Sequence, residues 1–504
     1  MDVAGSRSVR APSLTDAIIP LAALVLLIGG SILLFGLDAL DGPIQTAMVL
    51  SAMVAALIAM KNGHSWVEIQ QAGQSAMGSI TSALFILLAV GGLIGVWNMS
   101  GTIPTLVYYG IQVLAPSWYF AATALICGVV AMSIGSSWTT AGTIGVGLVG
   151  IAVMLGVSPA ITAGAVISGA YLGDKLSPLS ETTILTSQMV GVDTHEHIKR
   201  QAWTSVPAFV IAFILFLILG FIQGPAQDPV STDSELAELG RLYNITPLNL
   251  LPLALLVVLS ARKVPASLAL MSSALFAGIT GALLQPQVVA EFSGVNGNPV
   301  LAAVKGTWQA MSTGFVKASG IGDIDSLLSR GGMDSMLLTI WLIIGAVTFG
   351  MLLEAFGLID RLINPLVAAA RSRGRLYLTV FGCAFGLNVV AGDQYIALVL
   401  PSRVFRAEFA KRGLAPTNLS RLAADSGTVT SPLVPWNSCG AFMAAALGVP
   451  TLLYLPFAFF NILSPLLSVI YGITGFKVEK TAPSSELQPH GKTDPDQPAG
   501  PEKE

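Results

Sequence analysis

Charged residues are scarce in this chain. Asp, Glu, Lys and Arg make up 11% of its 504 residues, whereas about 25% is usual in soluble globular domains. Hydrophobic residues make up 53%, and the mean hydropathy is +0.74. This balance excludes an ordinary soluble protein and indicates a chain that crosses a lipid bilayer several times. The net charge of −3 and the lack of a basic tract give no reason to expect a nucleic acid partner.

Cysteine is also rare, and its positions follow no functional pattern. Cys127, Cys383 and Cys439 each lie among apolar residues, with no Cys-x-x-Cys or Cys/His spacing. Such residues are expected to fill small gaps in a core, so we predict no redox or metal-binding role for these three cysteines. The N-terminal apolar run lacks the small-residue cleavage motif of a signal peptide and is predicted to be the first membrane helix.

What the chain has instead is a series of apolar segments separated by polar breaks. The segments fall at about 17–37, 43–60, 79–98, 118–134, 141–156, 159–172, 203–222, 247–260, 264–284, 336–356, 376–391, 394–402, 437–448 and 451–474. Several are too short to cross alone, because a crossing needs about 20 apolar helical residues. We predict an all-α polytopic membrane protein with discontinuous helices, hairpins and roughly 10–13 membrane segments.

Basic residues predict how these segments are oriented. They gather at Lys199 and Arg200, at 371–375 and at 403–421, which places both termini in the cytoplasm by the positive-inside rule. The predicted organisation is a cytoplasmic N-terminus (1–16), N-terminal membrane helices (17–78), a first repeat (79–222), a connecting loop and helices (223–284), an external linker (285–335), a second repeat (336–474) and a disordered cytoplasmic tail (475–504).

The two predicted repeats resemble each other in sequence. LFILLAVGGLIGVWNMSG at 84–101 matches LTIWLIIGAVTFGMLLEAFG at 338–357, and GDKLSPLSETT at 173–183 corresponds to ADSGTVTSPLVPWNS at 424–438. The connection after the first span of each repeat is uncharged in the first repeat and carries three arginines in the second. Opposite sides of the membrane are implied, and hence inverted repeats.

Each repeat contains two polar breaks, at 135–143 and 173–183 in the first and at 388–395 and 424–438 in the second. Irregular polar backbone at membrane depth is tolerated only inside the protein or along a water-filled cavity. In transporters built from inverted repeats, the interrupted helices of both halves form the site near the midplane. We therefore expect all four breaks to meet at one centre.

Oxygen atoms are the ligands that hard cations such as Na⁺ prefer, and the breaks are rich in them. The carboxylates expected to bind Na⁺ or H⁺ are Asp174, Glu181, Asp393 and Asp425. The hydroxyl and amide groups expected to complete the shell are Ser177, Ser180, Thr182, Thr183, Ser426, Thr428, Ser431 and Asn437. Further candidates are Lys175, Ser136, Ser137, Thr139, Thr140 and Asn388. Burial favours the protonated form of a carboxyl group, so a partly dry carboxylate can hold a proton or a cation in turn.

Each candidate also has a structural interpretation. Asp174, Asp393 and Asp425 can form salt bridges or helix caps. Lys175 is either the structural partner of an acid or a resident cation when no Na⁺ is bound. Glu181 can cap the helix that begins there.

Three further patterns have a structural interpretation, two of them beside a functional one. The hydroxyls at 136–140 either coordinate a cation or bond back to helical carbonyls. DTHEH at 193–197 is expected to be a solvated face rather than a metal site or a pH sensor. Gly169-x-x-x-Gly173 predicts close helix packing.

The chain resembles the NhaC family of sodium/proton antiporters. The resemblance is carried by SGAYLGDKLSPLSETT at 168–183, GVDTHEHIKR at 191–200 and AADSGTVTSPLVPWNSCGAFMAAALGV at 423–449, and it covers about residues 15–475. It implies exchange driven by ion gradients, through an inverted-repeat fold, without ATP or a cofactor. The family positions that it carries over are Asp174, Ser177, Ser180, Thr182, Thr183, Asp425, Ser426, Thr428, Ser431 and Asn437. Members commonly have Asp where this chain has Glu181.

The sequence predicts a Na⁺/H⁺ antiporter of the bacterial inner membrane, and a homodimer is compatible with it. Because the family also contains malate/lactate exchangers, the alternative is a Na⁺- or H⁺-coupled exchanger of small organic acids, with helix N-termini holding the anion. A carboxylate site needs a fixed arginine. Arg403 and Arg421 are the arginines near the second-half breaks, and both belong to a basic run expected to be cytoplasmic, which favours the cation.

Overall fold

The computed structural model of the protein describes residues 9–223 and 229–481. Over these residues the chain is almost entirely helical, and pairing between extended segments is limited to two isolated β-bridges, Phe315 with Arg330 and Leu414 with Lys480. Short 3₁₀ turns occur at Gly36–Leu40, Pro116–Trp118, Pro247–Leu250, Asp334–Met336, Ser431–Leu433 and Leu455–Phe457. The prediction of an all-α membrane protein is confirmed.

The first two helices, α1 (Leu14–Phe35) and α2 (Pro43–Lys61), form an antiparallel pair. Ser13 and Asp16 form a capping box that starts α1. The Lys61 Nζ donates to the Asp16 Oδ1 at 2.6 Å, which joins the end of α2 to the beginning of α1. Much of the remaining surface of α1 is exposed and apolar, as expected for a helix that contacts lipid.

The first half of the structure, residues 66–223, contains eight helices. They are α3 (Trp66–Met99), α4 (Thr102–Val113), α5 (Tyr119–Ile134), α6 (Ser137–Thr140), α7 (Val146–Met154), α8 (Pro159–Leu176), α9 (Glu181–Val190) and α10 (Thr194–Gln223). A π-helical segment, Ala141–Gly145, joins α6 to α7. Gly169 and Gly173 bring α8 so close to α5 that an added Cβ would overlap backbone atoms of α5, which confirms the predicted close packing and fixes the end of α8.

Six helices connect the halves. They are α11 (Pro229–Leu242), α12 (Leu251–Ala261), α13 (Ala266–Leu284), α14 (Pro286–Ser293), α15 (Pro299–Thr313) and α16 (Gly322–Leu328). The predicted linker at 285–335 is therefore helical over much of its length. α15 packs against α3, where Gly95 allows the close approach of the Ala310 carbonyl. The position of this linker on the external side stays a prediction.

The second half, residues 337–474, also contains eight helices, and its relation to the first half as a repeat stays a prediction. Its helices are α17 (Leu337–Ala355), α18 (Leu358–Ala369), α19 (Arg373–Val390), α20 (Gln394–Lys411), α21 (Pro416–Ala423), α22 (Ser438–Leu447), α23 (Thr451–Tyr454) and α24 (Phe459–Thr474). A π-helical segment, Ala424–Thr428, continues α21. Gly101 and Gly357 follow α3 and α17 with φ values of 78° and 70°, and α4 and α18 each have 12 residues. The inverted relation between the halves stays a prediction.

Eight helices of the described residues are long and apolar enough to cross a membrane, or up to ten if two sharply bent helix pairs each form one span. The bent pairs are Leu236–Leu242 with Pro247–Ala261, at 85°, and Ser438–Leu447 with Thr451–Phe457, at 90°. The upper count meets the lower end of the predicted range of roughly 10–13 segments. The number of spans is lower than the number of apolar segments in the sequence, because a bent helix pair contributes two apolar segments to one span.

The C-terminal segment 475–481 contacts the helical body. Lys480 forms its β-bridge with Leu414, in the turn between α20 and α21. The amide of Thr481 donates to the carbonyl of Gly413 at 2.9 Å. The prediction of disorder from residue 475 is therefore wrong for 475–481. The remainder of the predicted tail, like residues 1–8 of the predicted N-terminus, lies outside the described residues.

Candidate functional site

A cavity of about 490 Å³ lies between the two halves. The helices α6, α9, α20 and α22 all begin at it or beside it, with the capping residues Ser136, Ser180, Asp393 and Asn437. Trp138 at the start of α6 stacks on Phe442 of α22 with ring centroids 4.2 Å apart. Each of the four breaks therefore has residues at or beside the cavity, and their common role in ion binding stays a prediction.

Asp174 lines the cavity at the end of α8. Its Oδ2 accepts a hydrogen bond from the Ser137 hydroxyl at 2.7 Å and another from the Ser137 amide at 3.2 Å. The side chain is 7% exposed. Because it faces the N-terminus of α6, the partial positive charge of that helix stabilises the ionised carboxylate.

Asp393 and Glu181 line the same cavity from other helices. The Asp393 Oδ1 accepts the amides of Tyr395 and Ile396 at 2.8 and 3.2 Å, so this carboxylate is the N-cap of α20. Glu181 lies in the first turn of α9, where Ser180 is the cap. The Tyr395 hydroxyl donates to the Glu181 Oε2 at 3.2 Å. The cavity therefore combines three carboxylates with helix N-termini.

A second polar centre lies away from the cavity, inside the protein. The Lys175 Nζ donates to the Asp425 Oδ1 in a short ion pair, with the side chains 2% and 0% exposed. The Ser464 hydroxyl also donates to this oxygen, at 2.7 Å, and the Thr204 hydroxyl donates to the Asp425 Oδ2 at 2.9 Å. Among the predicted carboxylates, Asp425 alone is held by a buried cation.

The end of α8 joins the two centres. Asp174 and Lys175 are consecutive residues, yet the first lines the cavity and the second reaches the buried centre. Asp425 belongs to the π-helical segment of the other half. Such segments are frequent at functional sites because they displace backbone and side chains from regular helical positions. The pair therefore links the two halves through their interrupted helices.

Most predicted hydroxyl and amide ligands satisfy backbone groups freed by the breaks. The Ser177 hydroxyl donates to the Met132 carbonyl, and Ser180 caps α9. The Thr183 hydroxyl donates to the Lys175 carbonyl. The Thr140 hydroxyl donates to the Ser136 carbonyl, and the Ser431 hydroxyl donates to the Thr428 carbonyl. Asn388 donates to the carbonyl of Gly427, and Asn437 donates to Asn388. The cavity itself is lined by Ser136, Ser137, Thr139 and Thr182.

Two predicted ligands have unused oxygen atoms. The hydroxyls of Ser426 and Thr428 are buried and have no hydrogen-bond partner among the described residues. Both belong to the π-helical segment that contains Asp425. Buried polar atoms are almost always hydrogen-bonded, so these two are available to a ligand.

Sequence reasoning missed part of the buried centre. The interpretation of DTHEH as a solvated face is wrong for His197, which is 0% exposed and contacts the Ser420 hydroxyl at 2.9 Å and Gln201 at 2.5 Å. His195 is solvent-facing, with its side chain 87% exposed. The available signal was the spacing of His197, Gln201 and Thr204, which places these polar groups on one face of α10.

Arg403 and Arg421, the two arginines near the second-half breaks, lie in different surroundings. The Arg403 side chain is 64% exposed and lies 3.4 Å from Glu354, whereas Arg421 is 1% exposed. The two arginines therefore differ in burial, and the cytoplasmic location of their basic run stays a prediction. Arg421 does not line the cavity, where the basic residue among the described lining is Lys263.

The membrane-crossing helices, the broken helices and the enclosed polar centres are typical of a polytopic α-helical membrane transporter. A model of the "Na+/H+ antiporter family" matches residues 14–204 and 200–476. The chain belongs to this family. It is 39% identical to the Na(+)/H(+) antiporter NhaC of Alkalihalophilus pseudofirmus, over 86% of this chain and 90% of that protein. It is also 34% identical to the malate-2H(+)/Na(+)-lactate antiporter of Bacillus subtilis, over 93% and 96%.

Proposed function

We propose that this protein exchanges Na⁺ for H⁺ across the membrane, with Lys175 and Asp425 as the exchange centre. The observation that carries the proposal is the occupation of a fully buried carboxylate by a lysine ammonium from the other half. An ammonium and a hydrated metal cation compete for the same oxygen ligands. Na⁺ binding at Asp425 would therefore require Lys175 to leave.

The exchange conserves charge at this centre. When Na⁺ takes the place of the ammonium, Lys175 loses its counter-charge in a poorly solvated site. Burial disfavours a charged amine, so the lysine releases one proton. When Na⁺ leaves, the amine takes up a proton and returns to Asp425. The Ser464 hydroxyl accepts from the Lys175 ammonium at 3.0 Å, and the Thr204 hydroxyl bonds to Asp425, so both oxygens lie beside the position that Na⁺ would take.

The cavity is proposed to supply the cation. Asp174, Glu181 and Asp393 give it negative charge, and Asp174 is directly adjacent to Lys175 along α8. Carboxylates and hydroxyls suit Na⁺, and the helix N-termini beside Asp174 and Asp393 favour the charged forms of these carboxylates, which attract a cation.

A small organic acid is the less suitable substrate for this cavity. An anion at the breaks would need free amides at helix N-termini. Side chains of Ser136, Ser180, Asp393 and Asn437 already accept hydrogen bonds from the first turns of their helices. No arginine is among the described residues that line the cavity, so Na⁺ is favoured over a dicarboxylate.

The proposal includes the location and orientation of the chain. We infer a multi-pass protein of the bacterial inner membrane with both termini in the cytoplasm, because basic residues gather on the connections assigned to that side. The halves would then have opposite orientations and provide alternating access to the centre between them. A homodimer is compatible with this arrangement.

Purified protein in liposomes with an internal pH dye tests the function. A Na⁺ pulse alone should change the internal pH, and a K⁺ pulse of equal concentration provides the ionic-strength control. If Na⁺ alone leaves the internal pH unchanged while added malate or lactate changes it, the proposed function is wrong and an organic-acid exchanger replaces it.

A further inference from the structure

Arg421 is a buried cation that has no counter-charge among residues 9–223 and 229–481. It lies in α21, four residues before Asp425, and is 1% exposed. Its Nη1 donates to the Lys477 carbonyl at 3.2 Å. Its Nε and Nη2 have no hydrogen-bond partner among the described residues. Uncompensated buried charge is costly, so this group needs an explanation.

In the part of the chain that the structure describes, no acid forms an ion pair with Arg421. Asp425 is already neutralised by Lys175, and Glu479 of the C-terminal segment pairs with Arg200. Arg421 forms no ion pair within the described residues. A lysine in this position could become neutral, but a guanidinium keeps its proton under all conditions relevant to a protein. The positive charge is therefore permanent.

The surroundings of Arg421 offer further hydrogen-bond donors. The Tyr377 hydroxyl of α19 lies within interaction range of the guanidinium, but the two groups are not aligned as a hydrogen bond. This hydroxyl is likewise buried and has no partner among the described residues. The Tyr471 ring of α24 lies 5.8 Å from the guanidinium carbon. Unused donors thus converge from α21 and α19, and the Lys477 carbonyl of the C-terminal segment accepts a bond on another side.

We propose that Arg421 and Tyr377 bind a small monovalent anion, either a halide or a short carboxylate. Such an anion accepts hydrogen bonds from the guanidinium Nε and Nη2 and from the Tyr377 hydroxyl, and it balances the charge. A water molecule can satisfy the donors but not the charge. This site is separate from the cavity, whose described lining does not include Arg421. It does not rest on the direction or substrate of transport.

Thermal unfolding of the full-length protein in detergent tests the site. Melting temperatures are compared in sodium chloride, sodium acetate and sodium gluconate at equal Na⁺ concentration and ionic strength, with gluconate as the bulky reference anion. We expect chloride or acetate to raise the wild-type melting temperature by roughly 2 °C or more relative to gluconate. A shift with chloride alone assigns a halide, and a shift with acetate alone assigns a carboxylate.

Three variants separate the site from general salt effects. Arg421→Gln removes the charge and should abolish the shift. Tyr377→Phe keeps the ring, removes one donor and should at least halve the shift. Tyr243→Phe is the matched control, because Tyr243 is also buried with an unpartnered hydroxyl, and it should keep the full shift.

Two results would overturn the proposal. One is the absence of any difference between the three anions in the wild type. The other is a shift that persists unchanged in Tyr377→Phe, and in Arg421→Gln if that variant folds. Since Tyr377→Phe loses only an unpaired hydroxyl, it remains informative even if Arg421→Gln fails to fold. The readout requires no transport, so failure here is distinct from failure of Na⁺/H⁺ exchange.

Discussion

The cavity carboxylates and the buried carboxylate hold their charge in different ways. Asp174 and Asp393 are bonded to helix N-termini and line a cavity. Asp425 is enclosed and bonded to the ammonium of Lys175. Helix N-termini compensate the charge of Asp174 and Asp393, and in the described part of the chain no cationic side chain is bonded to either carboxylate. Asp425 is already bonded to a cation, the Lys175 ammonium. In the exchange that we propose, the cavity attracts the cation and the buried centre exchanges it for the ammonium.

The largest effect is expected from Asp425→Asn. It leaves the Lys175 ammonium without a counter-charge, and breaking a buried pair in this way costs about 3–5 kcal/mol of stability. Na⁺-driven proton movement in liposomes should disappear. The double variant Lys175→Met/Asp425→Leu should recover much of the thermal stability without recovering transport. Full transport in Asp425→Asn would show that this carboxylate is not needed for exchange, and that the buried centre does not have the role proposed for it.

A smaller effect is expected from Asp174→Asn. The amide oxygen can still accept the Ser137 hydrogen bonds, so the fold should be retained while a negative charge is lost from the cavity. The Na⁺ concentration for half-maximal exchange should rise about tenfold, equivalent to about 1.4 kcal/mol of binding. Ser137→Ala is the control that weakens the same contact but keeps the carboxylate. Equal half-maximal concentrations in Asp174→Asn and the wild type would show that the cavity charge is not used.

Asp393 allows capping and ion attraction to be separated. Asp393→Ser keeps a good N-cap for α20 but loses the charge, whereas Asp393→Ala loses both, and loss of a cap costs about 1 kcal/mol. If the charge matters, both variants should lower Na⁺ affinity severalfold, and only Asp393→Ala should lower the melting temperature. If Asp393→Ser transports as the wild type does, Asp393 is a structural cap alone.

The smallest effect is expected from Glu181→Asp. Glu181 is exposed to the cavity and contacts the Tyr395 hydroxyl, and shortening it by one methylene moves its carboxylate away from both. We expect the ratio of Na⁺ to Li⁺ exchange to change about two- to threefold, since exposed charges contribute less than about 1 kcal/mol. Tyr395→Phe controls for loss of the hydrogen bond alone. An unchanged ratio would exclude Glu181 from ion selectivity.

The sequence predicts the fold class well because its signals are local. Long apolar runs indicate membrane helices, and the polar residues of the four breaks indicate where the helices are interrupted. The residue at which each helix begins can be predicted from capping side chains such as Ser180 and Asn437. The end of the packed chain was misplaced because the contacts of 475–481 are made with a turn distant in sequence.

The division into two centres could not be read from the sequence. Adjacent residues on a helix point about 100° apart, so Asp174 and Lys175 look like one polar pair in the sequence but face different surroundings. The burial of His197 and Arg421 depends on which helices pack around α10 and α21, and polarity alone favours the surface for both. The separation of Asp174 from Lys175 and the burial of His197 and Arg421 therefore depend on tertiary packing, which local composition does not reveal.

The release of protons on Na⁺ binding tests the exchange at Asp425 most directly. Purified protein in weakly buffered detergent solution is mixed with NaCl, and a pH dye follows the bulk pH, with choline chloride as the control. The account predicts proton release by the wild type and none by Asp425→Asn or Lys175→Met. Undiminished Na⁺-dependent release from either variant would contradict the replacement of Lys175 by Na⁺.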